Sequence, residues 1–418
     1  MSADPEPRTP AEAPPVLLRA PRDGTPEPLT SVADLLEASA GLVGGTGPVA
    51  VDAERASGYR YSQRAYLVQL RRAGYGTVLI DPIALPDLGS IDSALADAEW
   101  ILHAANQDLP CLAELGMRPR RLFDTELVGR LLGSERVALA TMVQQHLGIL
   151  LEKGHSSADW STRPLPPEWL DYAALDVELL IELRNVLVVE LRRAGKLAWA
   201  EQECQAILDL APGTPRSEPW RRTAGIHGIR NRRQLAMIRS LWQARDQLAS
   251  ERDVAVGRVL PDSAMVAAAK ANPRRPADLA TLPVFSGSRQ RRQAGYWFRA
   301  LETARELADD ALPPVAQVNT DPEAMPAASR WRDRDPAAAG RLVACRAVVA
   351  AAAQHHHVLA QNLLAGEVIR RLAWRPVVPL TEDGVRASLD ALGARPWQID
   401  LLAADLTRAL RTSDPAVD

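Results

Sequence analysis

Apolar residues are distributed in two ways along the chain. Up to about residue 124 they come in short runs closed by turn residues, which is the signature of strands. Residues 48–52 read as a buried strand ending on Asp52. Residues 65–70 and 77–81 read as two more, close enough across Gly74-Tyr75-Gly76 to form a hairpin, and 100–104 and 121–124 as a fourth and fifth. Between them, Thr30 or Ser31 can cap a helix that carries Val32, Leu35 and Leu36 inward. A second helix is expected over 91–98 and a third from about Asp108. No further strand is expected beyond Leu139. Pro166-Pro167 opens one long helix reaching about Gly195, since proline is tolerated in a first helical turn. Past a Pro/Gly stretch at 211–215 the period becomes helical, with Leu235, Ile238, Leu241, Trp242, Arg245 and Leu248 on one face. Shorter helices follow between Pro261, Pro273, Pro276 and Pro283, and Ala-rich helices are expected over 337–373 and 396–411.

Strands alternating with helices and then helices alone imply an α/β layer domain with one mixed sheet, followed by two all-α modules. The expected divisions are a Pro/Glu/Ala tail at 1–15 with little to bury, an α/β domain at 16–211, a helical domain at 212–305, a linker at 306–328 and a second helical domain at 329–418.

Composition adds a contrast that the net charge of −3 conceals. Between Arg216 and Glu302 there are 17 Lys plus Arg against 7 Asp plus Glu, so the remainder of the chain is acidic. A basic module on an acidic body suits a polyanionic partner, and suits equally a well-solvated helical surface. Cys111, Cys204 and Cys345 are far apart and show no CxxC spacing, which argues against a disulfide framework or a structural zinc. The acidic N-terminus lacks signal-peptide features, and no run of about 18 apolar residues is visible. A cytoplasmic protein without a membrane span is expected.

Candidate chemistry rests on acids. Asp52 and Glu54, two apart on a strand, share one face. Placing both beside a hydrophobic core is unfavourable unless a cation joins them, and divalent metals prefer such oxygen ligands. Two solvated acids at a strand end are the plainer alternative. Asp108 precedes a helix, where helix capping would explain it as well. Tyr172 and Asp176, four apart, share a helix face. His355-His356-His357 reads as a surface feature, because consecutive helical residues point in different directions.

Taken together, these residues resemble the ribonuclease D-type exonucleases of the DEDD superfamily, in the subgroup that uses tyrosine. The motifs are Val-Asp52-Ala-Glu54, His103-Ala-Ala-Asn106-Gln-Asp108-Leu and Tyr172-Ala-Ala-Leu-Asp176. Linking segments match as well: Phe123-Asp124-Thr125, Leu139-Ala140-Thr141-Met142-Val143, and Lys153 followed by Asp159-Trp160-Ser161-Thr162-Arg163-Pro164-Leu165. Residues 16–194 carry this likeness. The 216–302 region resembles the HRDC helical module, and the C-terminal region resembles a second module of that kind. The chain departs from the family at Ala53, where Thr is frequent, and at Gly154-His155. Asp171 stands where the subgroup that uses histidine has that residue.

The resemblance implies an RNase H-like α/β fold and two divalent ions, Mg²⁺ or Mn²⁺. Asp52 would bridge both ions, Glu54 and Asp176 would complete one site, and Asp108 would hold the other. Tyr172 would orient the attacking water. The implied reaction is 3′→5′ hydrolysis of RNA to nucleoside 5′-monophosphates, in processing of tRNA precursors or other structured RNA by a monomer. A 3′-5′ DNA exonuclease uses the same layout, and an RNA-binding protein that has lost the chemistry would keep the fold. Asn106, Arg221, Arg222, Arg230, Arg232, Arg233, Arg289, Arg291 and Arg292 are candidates for nucleic-acid contact. Tyr296, Trp297 and Phe298 could stack on bases, though a helix core is the stronger expectation for them. A chain ending near Ala211 is expected to keep the chemistry on short substrates.

Overall fold

A computed structural model of the chain describes residues 16–152, 154–155, 157–210, 217–315 and 325–413. The tail expected at 1–15, the 211–215 linker, Lys153 and the Arg289 side chain lie outside the described residues, as does much of the 306–328 linker.

Val16–Leu18 forms β1. The helix Val32–Gly44 follows, capped by Ser31, whose hydroxyl accepts from the backbone N–H of Asp34 at 3.2 Å. Of the three side chains expected inward, only Leu35 is buried. Val32 and Leu36 face solvent, and Ala38 and Leu42 complete the apolar stripe. Next come β2 (Thr46–Arg55), β3 (Ala65–Ala73) and β4 (Gly76–Ile80). The turn between β3 and β4 needs left-handed backbone at Gly74 (φ +85°) and Gly76 (φ +109°), which glycine adopts without steric penalty. The helix expected over 91–98 is shorter, Gly89–Ala94. β5 (Trp100–Leu102) and β6 (Leu122–Asp124) complete a sheet ordered β4-β3-β2-β5-β6. The first three strands are antiparallel and the last three parallel, giving the mixed sheet.

The expectation of no strand after Leu139 is corrected by β7, Ile149–Leu151, which pairs in parallel with β1. Three residues carry almost no periodic signal, and their partner lies far upstream. The long helix is also two: Pro167–Glu178 and Leu180–Arg193, with Leu179 between them at φ −109°, ψ 4°. Glu178, fully buried at the break, ion-pairs with Arg71 of β3 at 3.2 Å.

Alternation along the strands divides the core. Val49, Val51, Ala53, Val68, Leu70, Val78 and Ile80 pack with Leu35 and Leu42 on one face. The opposite face is roofed by the helix Pro167–Glu178, where Leu67 and Leu79 meet Leu170, Ala173 and Ala174. Asp52 and Glu54 belong to this second face by parity.

The middle module has its own core around the helix Arg232–Arg252, with Leu235, Ile238, Leu241, Trp297, Phe298 and Leu301. It docks on the loop after β2. Asp253 accepts from the backbone N–H groups of Tyr61 (3.2 Å) and Ser62 (3.0 Å), and Arg258 donates to the Gly58 carbonyl at 2.7 Å. In the last module the helix expected over 337–373 is broken into Pro336–His355, Ala360–Leu363 and Gly366–Trp374. Glu382–Ala391 and Pro396–Ser413 follow. By length and composition Pro336–His355 could cross a membrane. Here Leu342, Cys345, Val349 and Ala353 bury one side of it, and Arg341 is buried too.

The C-terminal module does not stand apart. One apolar cluster runs from Ala50, Phe123, Leu175 and Leu187 of the first domain to Leu342, Leu372, Trp397 and Leu406 of the last. Trp199 stacks on Trp397 with ring centroids 4.3 Å apart, and Lys196 donates to the carbonyls of Leu131 and His356, both at 2.7 Å. A chain ending near residue 211 would expose this surface, so the helical module is part of the nuclease domain's core and not a detachable attachment. The seam is tight at Gly133, where φ is +86° and a Cβ would overlap the His357 carbonyl. Gly133→Ala is therefore expected to lower stability by about 2–4 kcal/mol. Chemical denaturation, with proteolysis of the 336–413 region, checks this; a variant as stable and resistant as the parent refutes the tight seam.

Candidate active site

Three short pieces of chain deliver four acids to one place. β2 supplies Asp52 and Glu54, and the helix Pro167–Glu178 supplies Asp176 and Tyr172 from one face. Carboxylate oxygens of Asp52, Glu54 and Asp176 lie within 4.8 Å of one another. Asp108 stands at the edge of this group, close enough to repel Glu54 and Asp176. It begins the helix Leu109–Glu114, yet its side chain caps no backbone N–H. That removes the capping explanation. Its carboxylate instead lies 3.4 Å from Arg55.

The turn carrying Asp108 is held from below. Ala104 sits in left-handed backbone (φ 61°, ψ 51°), unusual for a residue with a Cβ. Buried Asp124 clamps it, accepting from the N–H groups of Ala104 (3.1 Å) and Ala105 (2.8 Å) while capping its own helix through Glu126 and Leu127. Asn106 is exposed on the turn at the rim of the site. On the opposite wall, Arg163 grips Asp81 through two nitrogens (2.7 and 2.8 Å) and also donates to the carbonyls of Tyr66 and Trp160. This pins fully buried Trp160 against Tyr172, ring centroids 6.4 Å apart. His155 meets the Tyr172 ring edge-on at 6.0 Å.

Electrostatics follow from burial. Desolvation pushes the Asp52 carboxyl up to about 6, against the opposing pull of the Ala53 N–H and Arg55. Asp108 is pushed up to about 8, first by desolvation and then by Asp52. Glu54 and Asp176 are held well above the usual carboxylate range by burial and then by neighbouring carboxylates. Burial and then Asp176, Glu54 and Asp52 raise Tyr172, which stands one helical turn from Asp176, so its phenol stays protonated at neutral pH. Oxygen-only donors that repel one another in a desolvated pocket fit a hard divalent cation.

Arg55 was not foreseen from the sequence. Strict alternation would send it to the face away from Glu54, but the β2–β3 register is irregular between these residues, and such irregularities re-aim side chains. The arginines of the middle module divide. Arg221 pairs with Glu218, Arg232 donates to the Leu312 carbonyl, and Arg233 closes the module through carbonyls at 304, 305 and 307 and through Asp309. Arg222, Arg230, Arg291 and Arg292 are exposed. Trp297 and Phe298 are core, and Tyr296 donates to the Ala244 carbonyl.

The acid cluster on the mixed sheet, with Tyr172 one helical turn from Asp176, agrees with the 3′-5′ exonuclease class whose family model this chain matches. Residues 27–192 match the family model for a 3′-5′ exonuclease, 234–301 an HRDC domain and 324–410 a 3′ to 5′ exonuclease C-terminal domain. Ribonuclease D of Gluconacetobacter diazotrophicus is 30% identical over 378 residues, which is 87% of this chain and 91% of that protein. Ribonuclease D of Shewanella sp. strain ANA-3 is 32% identical over 236 residues, 55% of this chain and 61% of the relative, so that match spans under two thirds of its length. Among solved structures, a protein from Bifidobacterium adolescentis superposes with a TM-score of 0.86 at 35% identity, over 95% of this chain and 100% of that one. Escherichia coli RNase D, described as an exoribonuclease involved in structured RNA processing, gives 0.66 at 25% identity, over 92% and 98%. The chain belongs to the ribonuclease D family.

Without a cation, each raised carboxyl weakens the fold as pH climbs. The unfolded chain releases these protons near pH 4, whereas folded Asp52 holds its proton to about 6 and Asp108 to about 8. Stability present below pH 4 is thus lost between pH 4 and 8. In EDTA at pH 8, Asp52→Asn is expected to be more stable than the parent by on the order of 2 kcal/mol, with the gap closing toward pH 4. Thermal melts across pH check this, and a pH-independent gap contradicts it.

Proposed function

We propose that the protein is a 3′→5′ exoribonuclease that hydrolyses the terminal phosphodiester and releases nucleoside 5′-monophosphates. The observation that carries this reading is the convergence of Asp52, Glu54 and Asp176, with Asp108 beside them, in a desolvated pocket. Asp52, Glu54 and Asp176 would hold one divalent ion, Mg²⁺ or Mn²⁺, and Asp52 with Asp108 a second. Such ions supply activation of water and compensation of the charge that builds on the phosphoryl and leaving 3′ oxygens. Tyr172, kept protonated, works as a hydrogen-bond donor and orienter and not as a base. It shares a helix face with Asp176 and its ring packs near that of Trp160. Arg55 holds Asp108 in place and puts a positive charge at the mouth of an acidic pocket that a phosphate must enter.

RNA is the substrate we favour over DNA, on membership of the ribonuclease D family. The structured 3′ ends of tRNA precursors are the class we propose. Exposed Arg222, Arg230, Arg291 and Arg292 would meet the backbone of the RNA away from the cleavage point. We propose a cytoplasmic monomer.

Asp52→Asn is expected to abolish hydrolysis with the fold intact by circular dichroism; parental cleavage would refute the site. Tyr172→Phe is expected to lower kcat by about 10- to 100-fold while leaving Mn²⁺ affinity unchanged, and parental kcat would make the tyrosine structural. Digestion of a 3′-extended tRNA beside a matched single-stranded DNA decides the substrate: faster loss of nucleotides from the RNA is expected, and preference for the DNA reverses the assignment.

A further inference from the structure

Directly across the sheet from Asp52 lies Gln69. The β2–β3 register pairs these two residues, with Glu54 opposite Leu67 one step along the same face. Side chains directly opposite on antiparallel strands have Cβ atoms about 5 Å apart. Gln69 is therefore a floor residue of the acid cluster. Its other neighbour across the sheet is Leu79 of β4, and the helix Pro167–Glu178 roofs this face.

Gln69 is completely buried, and both ends of its amide, Nε2 and Oε1, have no hydrogen-bond partner. An unpaired buried polar group costs about 1–3 kcal/mol, whereas an apolar side chain of the same shape costs nothing of the kind. Packing between Leu67 and Leu79 gives no reason for an amide here. Its neighbour by register offers one: the side chain of Asp52 is a hydrogen-bond acceptor directly opposite.

We propose that Gln69 is a positioning residue for the cation site: its Nε2, unpaired in this structure, donates to the Asp52 carboxylate when the site is filled and so holds it in the rotamer that faces the cations. The inference rests on the metal-site reading above. A donor behind a metal-ligating carboxylate fixes its orientation, and losing such a partner typically weakens metal binding 10- to 100-fold. Gln69 touches neither substrate nor the reacting atoms. Its effect falls on the affinity for metal, with little change in turnover once metal saturates.

The test is calorimetric titration of Mn²⁺ alone into full-length parent, Gln69→Met, Gln69→Leu and Asp52→Asn, with melting in EDTA as the control for folding. Both Gln69 variants are expected to melt at or above the parent in EDTA, since they lose two unpaired polar atoms, and to bind Mn²⁺ about tenfold more weakly. Asp52→Asn is expected to lose most binding. The Mn²⁺ concentration for half-maximal RNA cleavage should rise about tenfold in Gln69→Met, with kcat at saturation within about twofold of the parent. Parental Mn²⁺ affinity in folded Gln69→Met and Gln69→Leu overturns the role of Gln69 alone. A parent that binds no Mn²⁺, or binds it equally well as Asp52→Asn, overturns the metal-site reading and the role of Gln69 with it.

Discussion

Four carboxylates brought together beside a hydrophobic core are the constraint around which this molecule is built. Each acid loses hydration on burial, and each raises the free energy of ionising the others. The fold must therefore hold the acids against their own repulsion, and its polar contacts are placed where that strain falls. Asp124 clamps the turn that presents Asp108. Arg163 fastens the segment behind Tyr172 to Asp81 and the sheet. The Glu178–Arg71 pair anchors the helix two residues beyond Asp176. Arg55 supplies a positive charge at the edge of the group.

The two helical modules relate to this centre in different ways. The C-terminal one shares a continuous apolar core with the first domain and is sealed to it by Lys196, the Trp199–Trp397 stack and the Gly133–His357 approach. It buries apolar surface of the first domain. The middle one keeps its own core and docks through polar contacts on the loop that leaves the catalytic strand. Arginine richness in that module has two physical meanings. Arg232 and Arg233 bind the module's own carbonyls, while Arg222, Arg230, Arg291 and Arg292 stay on its surface. Composition sums both and separates neither.

Much of this was legible from the chain. The two-residue spacing of Asp52 and Glu54 and the four-residue spacing of Tyr172 and Asp176 encode shared faces directly, because strand and helix periods are local properties of the backbone. Apolar runs located the five strands of the main sheet for the same reason, and Ser31 marked a helix start through a hydrogen bond spanning three residues. Wherever two distant segments had to meet, local pattern fell short. β7 exists because β1 lies beside it. The break at Leu179 and the solvent exposure of Val32 and Leu36 depend on what the neighbouring elements cover.

The sequence by itself thus determined the order of the five strands of the main sheet, the shared faces of the acids and the family resemblance, all of which follow from short-range periodicity and motif spacing. Tertiary structure alone decided that Asp52, Glu54 and Asp176 converge while Asp108 leans on Arg55, that the last module completes the first domain's core, and that an unpaired glutamine lies opposite Asp52 on the neighbouring strand. Those outcomes depend on register, on a strand irregularity and on which surfaces exclude water from one another. Such quantities arise only when segments remote in the chain pack together.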